Sequence, residues 1–87
     1  MDIDELNELL GEDSEALLCD GFEDAIIGVA ERINLDPVVA YDVDKIIEIL
    51  MKRDDMTDEE ALEYFYFNIK GAWMGEGTPI FITKLIE

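Results

Sequence analysis

Val43, Ile46, Ile47 and Leu50 recur at i, i+3, i+4 and i+7, the spacing of one helix face. Asp42 stands where an N-cap belongs, and Glu48 and Lys52 form an i,i+4 pair in the favourable order. The pattern predicts a helix from about Val43 to Arg53, with Ile49 and Met51 widening its apolar side. A second helix is announced by Thr57-Asp58-Glu59-Glu60, a capping box with Met56 and Ala61 at the staple positions. Leu62, Phe65, Ile69 and Trp73 then follow one face, which predicts a helix from about Asp58 to Lys70 or slightly beyond. Upstream, Ile3, Leu6, Leu9 and Leu10 are spaced as a short amphipathic helix, with Gly11 as a C-cap. Such a helix is too short to persist in water without a partner surface.

The remaining apolar runs are short. Ala25–Ala30 and Val38–Tyr41 contain β-branched residues, and the polar stretch Glu31–Pro37 between them ends in Asp-Pro, a turn signal. A β-hairpin is expected. A helical stripe through Phe22, Ile26, Val29 and Ile33, capped by Asp20 with Glu23 at N3, is the competing reading. Gly28 and the β-branched content disfavour it. Pro79 precedes Ile80-Phe81-Ile82-Thr83, which suits a last strand. The expected fold is α+β: one small domain with a short antiparallel sheet, two main helices on one face and a short N-terminal helix. Residues 1–20 read as an acidic leader carrying that short helix, and 21–87 as the domain.

Charge changes this picture most. The 87 residues hold 23 Asp and Glu against 6 Lys and Arg, a net charge of −17. From Met1 to Asp24 there are ten acids and no base, whereas Tyr64–Glu87 has two of each sign and is largely apolar. Such a chain has no basic face for nucleic acid and is repelled by anionic membranes. No apolar run approaches the ~20 residues of a membrane span, and the acidic N-terminus is not that of a secretory leader. With no His and a single Cys, histidine acid–base chemistry, zinc sites and an internal disulfide drop out. Cys19 lies among acids, which disfavours a thiolate nucleophile, and reads as a small apolar residue. One unpaired Cys fits a reducing cytoplasm.

Asp54, Asp55, Asp58 and Glu59, with Asp42 and Asp44, are the carboxylates closest to a metal-binding or acid–base pattern. Neither Asp54 nor Asp55 as first ligand reproduces the calcium-loop spacing, so helix capping and solvated charge are the expectation, with no metal and no catalytic pair. Gly71–Thr78 lacks the Lys of a phosphate loop, because Glu76 stands in that place. No cofactor and no enzymatic activity are expected. Among the four aromatics Tyr64–Phe67, Phe65 falls on the core stripe, Tyr64 and Phe67 flank it, and Tyr66 points away.

Arg53-Asp54-Asp55-Met56-Thr57, Glu59-Glu60-Ala61, Glu63-Tyr64-Phe65, Phe67-Asn68, Gly71-Ala72, Gly75-Glu76 and Thr78-Pro79-Ile80-Phe81 together resemble a family of small, uncharacterised proteins of tailed phages and prophages. Its pattern reads approximately RDGMSYEEAxEYFxFNxxGAxxGExTPIF. Gly21-Phe22, Ala25, Ile27-Gly28, Tyr41-Asp42, Lys45 and Ile47–Leu50 extend the similarity. This chain has Asp55 where the pattern has Gly, and Asp58 where it has Tyr. The resemblance implies a phage or prophage setting, hence the host cytoplasm, and implies no reaction.

Charge and resemblance together lead to the expectation of an accessory protein acting by protein–protein interaction. Its partner would have a basic surface, as a host nucleic-acid-binding protein has, and the chain would act as an inhibitor or DNA mimic. The acids Asp20, Glu23, Asp24, Asp54, Asp55, Asp58 and Glu59 are the candidate contacts, with Tyr66 as an aromatic one. The alternative is a structural accessory protein, homo-oligomeric or not, that works through its apolar C-terminal quarter.

Overall fold

Asp42 both ends a strand and starts a helix, and the fold is organised around that joint. The structure is a computed structural model and describes residues 3–11, 16–19, 21–71, 75 and 77–85. Its elements are α1 (Ile3–Leu10), β1 (Ile26–Arg32), β2 (Leu35–Asp42), α2 (Val43–Arg53), α3 (Asp58–Tyr64), a π-helical continuation over Phe65–Lys70, and β3 (Ile80–Ile82). A single 3₁₀ turn at Glu23–Ala25 leads into β1. The expected α+β domain is present, and 22–33 is strand after a short turn rather than one helix.

The hairpin is tighter than the Asp-Pro signal implied. Arg32 pairs with Leu35, and the turn is Ile33-Asn34, with Asn34 at φ 60°. Asn tolerates that left-handed conformation better than most residues, which places the turn there. Asp36 and Pro37 instead sit opposite Glu31 in a bulge. Pro37 is tolerated because β3 pairs with β2 only from Ala40 to Asp42, leaving the β2 edge open at the proline. The Arg32 guanidinium donates to the Asp36 carbonyl, with Nε at 2.9 Å, and holds the bulge.

The sheet order is β1-β2-β3, and β3 joins parallel to β2. The sheet is therefore mixed, not antiparallel throughout as expected. Composition marks a strand but not its direction. The long helical connection from β2 to β3 is the kind of crossover that a parallel neighbour needs.

Both faces of β2 are covered, since Val38, Val39, Ala40 and Tyr41 are all buried. The main core joins Val39 and Tyr41 to Phe22, Ala25, Ile46, Ile47, Leu50, Ala61 and Phe65, and Leu6 of α1 belongs to it. Tyr41 stacks on Phe81 (centroids 6.0 Å), and Phe81 meets the edge of Phe65 (5.3 Å). The Tyr41 hydroxyl accepts from the Cys19 backbone N–H at 2.7 Å, tying the segment before β1 to the central strand. Within the described residues no helix is long and apolar enough to cross a membrane.

Candidate interaction surface

The joint between α2 and α3 carries four of the candidate acids. Asp42 caps α2 by accepting from Asp44 N–H at 3.0 Å. Thr57 caps α3: its Oγ1 accepts from Glu60 N–H (3.2 Å), and Glu60 Oε1 accepts from Thr57 N–H (3.0 Å). The capping box is formed as expected. Asp58 and Glu59 follow in the first turn of α3, exposed, where the helix dipole favours anions. Asp55 has φ 52°, the left-handed conformation that glycine takes most easily.

Arg53 organises the other candidates. Its Nη1 donates to the Gly21 carbonyl (3.3 Å), its Nη2 pairs with Asp54 (3.2 Å), and its guanidinium lies 4.8 Å over the Phe22 ring. Gly21 is at φ 87°, and a Cβ there would meet the guanidinium. Arg53 thus ties the segment holding Glu23 and Asp24 to the α2–α3 turn. Asp24 shares a cleft with Lys45, Glu48, Lys52 and Arg53. Half of the six basic residues therefore stand among these acids, and Glu48 is held by Lys52 (2.9 Å) and Lys45 (3.7 Å). Asp20 and Trp73, named from the sequence, lie outside the described residues.

A groove of about 340 Å³ runs between α2 and α3. Val43, Ile47 and Met51 line it from α2, and Leu62 and Tyr66 from α3 and its π-helical continuation. Asp44, Glu48 and Asp58 stand in the same lining, and Thr83 contributes from beyond β3. Met51 is 38% exposed, Leu62 41% and Tyr66 49%. Tyr66 is held in place: its ring meets Phe65 edge-on (5.5 Å), and Lys70 Nζ lies 4.8 Å over it.

The aromatic run departs from expectation in two of its four members. Phe65 is buried and Tyr66 points outward as expected, but Tyr64 is exposed and Phe67 is 77% exposed. Leu62, expected on the core stripe, is also exposed. Ala61 and Phe65 supply the buried positions instead, and the helix widens to π geometry after Tyr64, with Gly71 N–H reaching the Tyr66 carbonyl (3.1 Å). A strict 3.6-residue count misplaces Phe67, which follows the widening, whereas Leu62 and Tyr64 precede it and fall on either side of the buried Ala61–Phe65 line. The groove was not among the expectations; the signal it leaves in the chain is that 43/47/51 and 58/62/66 each run at i, i+4, i+8.

The titrating groups behave as structural ones. Burial pushes the Cys19 thiol up, away from a reactive thiolate. Burial likewise pushes Tyr41 up to about 12, against the opposing pull of the Cys19 N–H. The hydrogen bond from Lys52, then the charge of Lys45, holds Glu48 below the usual carboxylate range. The Thr57 backbone N–H does the same for Glu60. Among the described residues no three Cys, Asp or Glu are grouped to hold a metal ion. The chain matches no protein-family model, no curated protein and no solved structure.

Proposed function

We propose that this chain is a small acidic accessory protein of phage type, acting in the host cytoplasm by protein–protein interaction. Its partner is a protein with a basic, nucleic-acid-binding surface, and it inhibits by competing with nucleic acid there. The proposal involves no catalysis, no cofactor and no direct contact with nucleic acid or membrane. The observation that carries it is the net charge of −17, with Asp54, Asp55, Asp58 and Glu59 exposed around one helix joint.

The mimicry is local rather than global. Spread over 6274 Å², −17 amounts to one net charge per ~370 Å², against roughly 110 Å² for B-DNA. Arg53, Lys45 and Lys52 dilute the acids further near Asp24. The free acids at the start of α3 are the part that can approach DNA-like density.

A tagged chain is used to capture partners from host lysate at two salt concentrations, followed by elution with duplex DNA. Capture that weakens with salt and yields to DNA supports the proposal. Capture that survives high salt and DNA refutes it. The charge test uses Asp54→Asn, Asp55→Asn, Asp58→Asn and Glu59→Gln, because Asn keeps the left-handed position at 55, where Lys would be strained.

The second reading is a structural accessory protein that assembles through its apolar C-terminal surface. Phe67, 77% exposed, and Leu85, 95% exposed, favour it. Concentration-dependent oligomers abolished by Phe67→Ser would decide for it.

A further inference from the structure

We infer that the groove between α2 and α3 is the docking slot for a short amphipathic helix of the partner, apolar on one face and flanked by Lys or Arg. This deepens the proposed function and rests on its basic partner, but it names a different contact.

The two walls are helical and in step. Val43, Ile47 and Met51 span two turns of α2, about 12 Å, and Leu62 and Tyr66 answer from the opposite wall. An incoming helix meets such a slot with residues at its own i, i+3, i+4 and i+7 positions. Met51 and Tyr66 suit such a contact, because Met adapts its shape and Tyr offers a rigid apolar ring with a polar tip, and Leu62 adds apolar area between them. Phe65 fixes one edge of the Tyr66 ring, while Lys70, over that ring, is a cation at this wall that the acids of the slot must outweigh.

Charge selects the occupant. Asp44 and Asp58 flank the apolar strip at the rim, while Glu48 already holds two lysines. A second copy of the chain would bring the same acids, and another −17, against this rim. A helix with Lys or Arg beside its apolar stripe is attracted instead, and its cations reach Asp44 and Asp58 while its apolar residues fill the slot.

The test uses the full chain and a fluorescent synthetic peptide of about 14 residues, some 20 Å of helix, built from Leu and Lys at helical spacing. A shuffled peptide of identical composition, without a continuous apolar face, is the comparison. Anisotropy at roughly physiological salt should show the patterned peptide binding about tenfold or more tighter than the shuffled one. Leu62→Ser and Met51→Ser should each remove most of that preference, and Phe67→Ser, outside the slot, should leave it. Both slot residues are partly exposed, so these variants should keep the fold with a melting temperature lowered by a few degrees, which is measured alongside. Equal binding of the two peptides, no binding of either, or a preference lost with Phe67 but not with Leu62 overturns the inference. So does a dimer of the free chain that Leu62→Ser dissociates. If pattern preference fails while lysate capture remains displaced by DNA, the slot is refuted and the acidic-surface reading stands. If preference holds but DNA displaces nothing, the slot stands and nucleic-acid competition falls.

Discussion

Thr57 and Tyr41 show what single side chains hold together here. Thr57 satisfies one otherwise orphaned N–H of α3, and Glu60 satisfies the N–H of Thr57 in return. Thr57→Ala should cost about 0.5–2 kcal/mol, or several degrees of melting temperature in a domain this small, and Thr57→Ser should restore most of it. The Glu60 carboxyl is lowered by this arrangement, so its contribution is present at neutral pH and is lost as pH falls through its folded value. Tyr41 works in the other direction. Its hydroxyl is raised to about 12, so the unfolded chain ionises first and stability drains away between about pH 10 and pH 12. Tyr41→Phe should cost about 1 kcal/mol at neutral pH, by leaving the Cys19 N–H without its acceptor, and should lack that alkaline component. Chemical denaturation of both proteins across this range tests it; parallel alkaline losses would show that Tyr41 is not the group responsible.

Elements whose causes are local could be read from the chain, and those set by distant pairing could not. The start and end of α2 and the capping box of α3 follow from residues within one turn of them, and each was visible in the sequence. The hairpin was also visible, but its turn was not, since Asp36-Pro37 advertises a turn more strongly than Ile33-Asn34. The bulge at Asp36-Pro37 and the shortness of β3 make Pro37 acceptable in a strand. The direction of β3 and the widening of the helix after Tyr64 depend on packing that no local pattern records. The acids of the candidate surface could be named from sequence, whereas Arg53, reaching from α2 to Gly21 and Phe22, could not. The α2–α3 turn also sets a conformational demand at position 55. Glycine at position 55 suits φ 52°, and Asp55 occupies it at some strain. Relief of left-handed strain is worth up to about 1–2 kcal/mol, and glycine's greater freedom when unfolded offsets about 0.4–1 of it. Asp55→Gly should therefore melt at or somewhat above the parent, and Asp55→Val, β-branched, several degrees below. Coincident curves for the Gly and Val variants would show that the turn does not enforce this conformation.

At the scale of the whole molecule, 23 acids against 6 bases leave a net repulsion that the ion pairs at Glu48, Asp54 and Asp42 do not cancel. Most of those side chains are exposed, and each such pair is worth at most about 1 kcal/mol. Salt therefore has more repulsion than attraction to screen, and the melting temperature should rise with NaCl. The range is set by size. The molecule measures 38 × 28 × 25 Å. At about 0.01 M salt the screening length is ~30 Å, so every acid feels nearly every other; at about 0.1 M it is ~10 Å, and only neighbours interact. Most of the rise should therefore fall between these two concentrations, with a plateau above, in contrast to the continuing rise that an excluded salt such as sulfate produces through the hydrophobic effect. Thermal melts in NaCl at constant pH decide the matter. A melting temperature that falls, or that climbs only above the plateau concentration, would mean that the acids do not strain the compact state. A rise confined to the dilute range would mean that they do, and that neutralising them stabilises the fold.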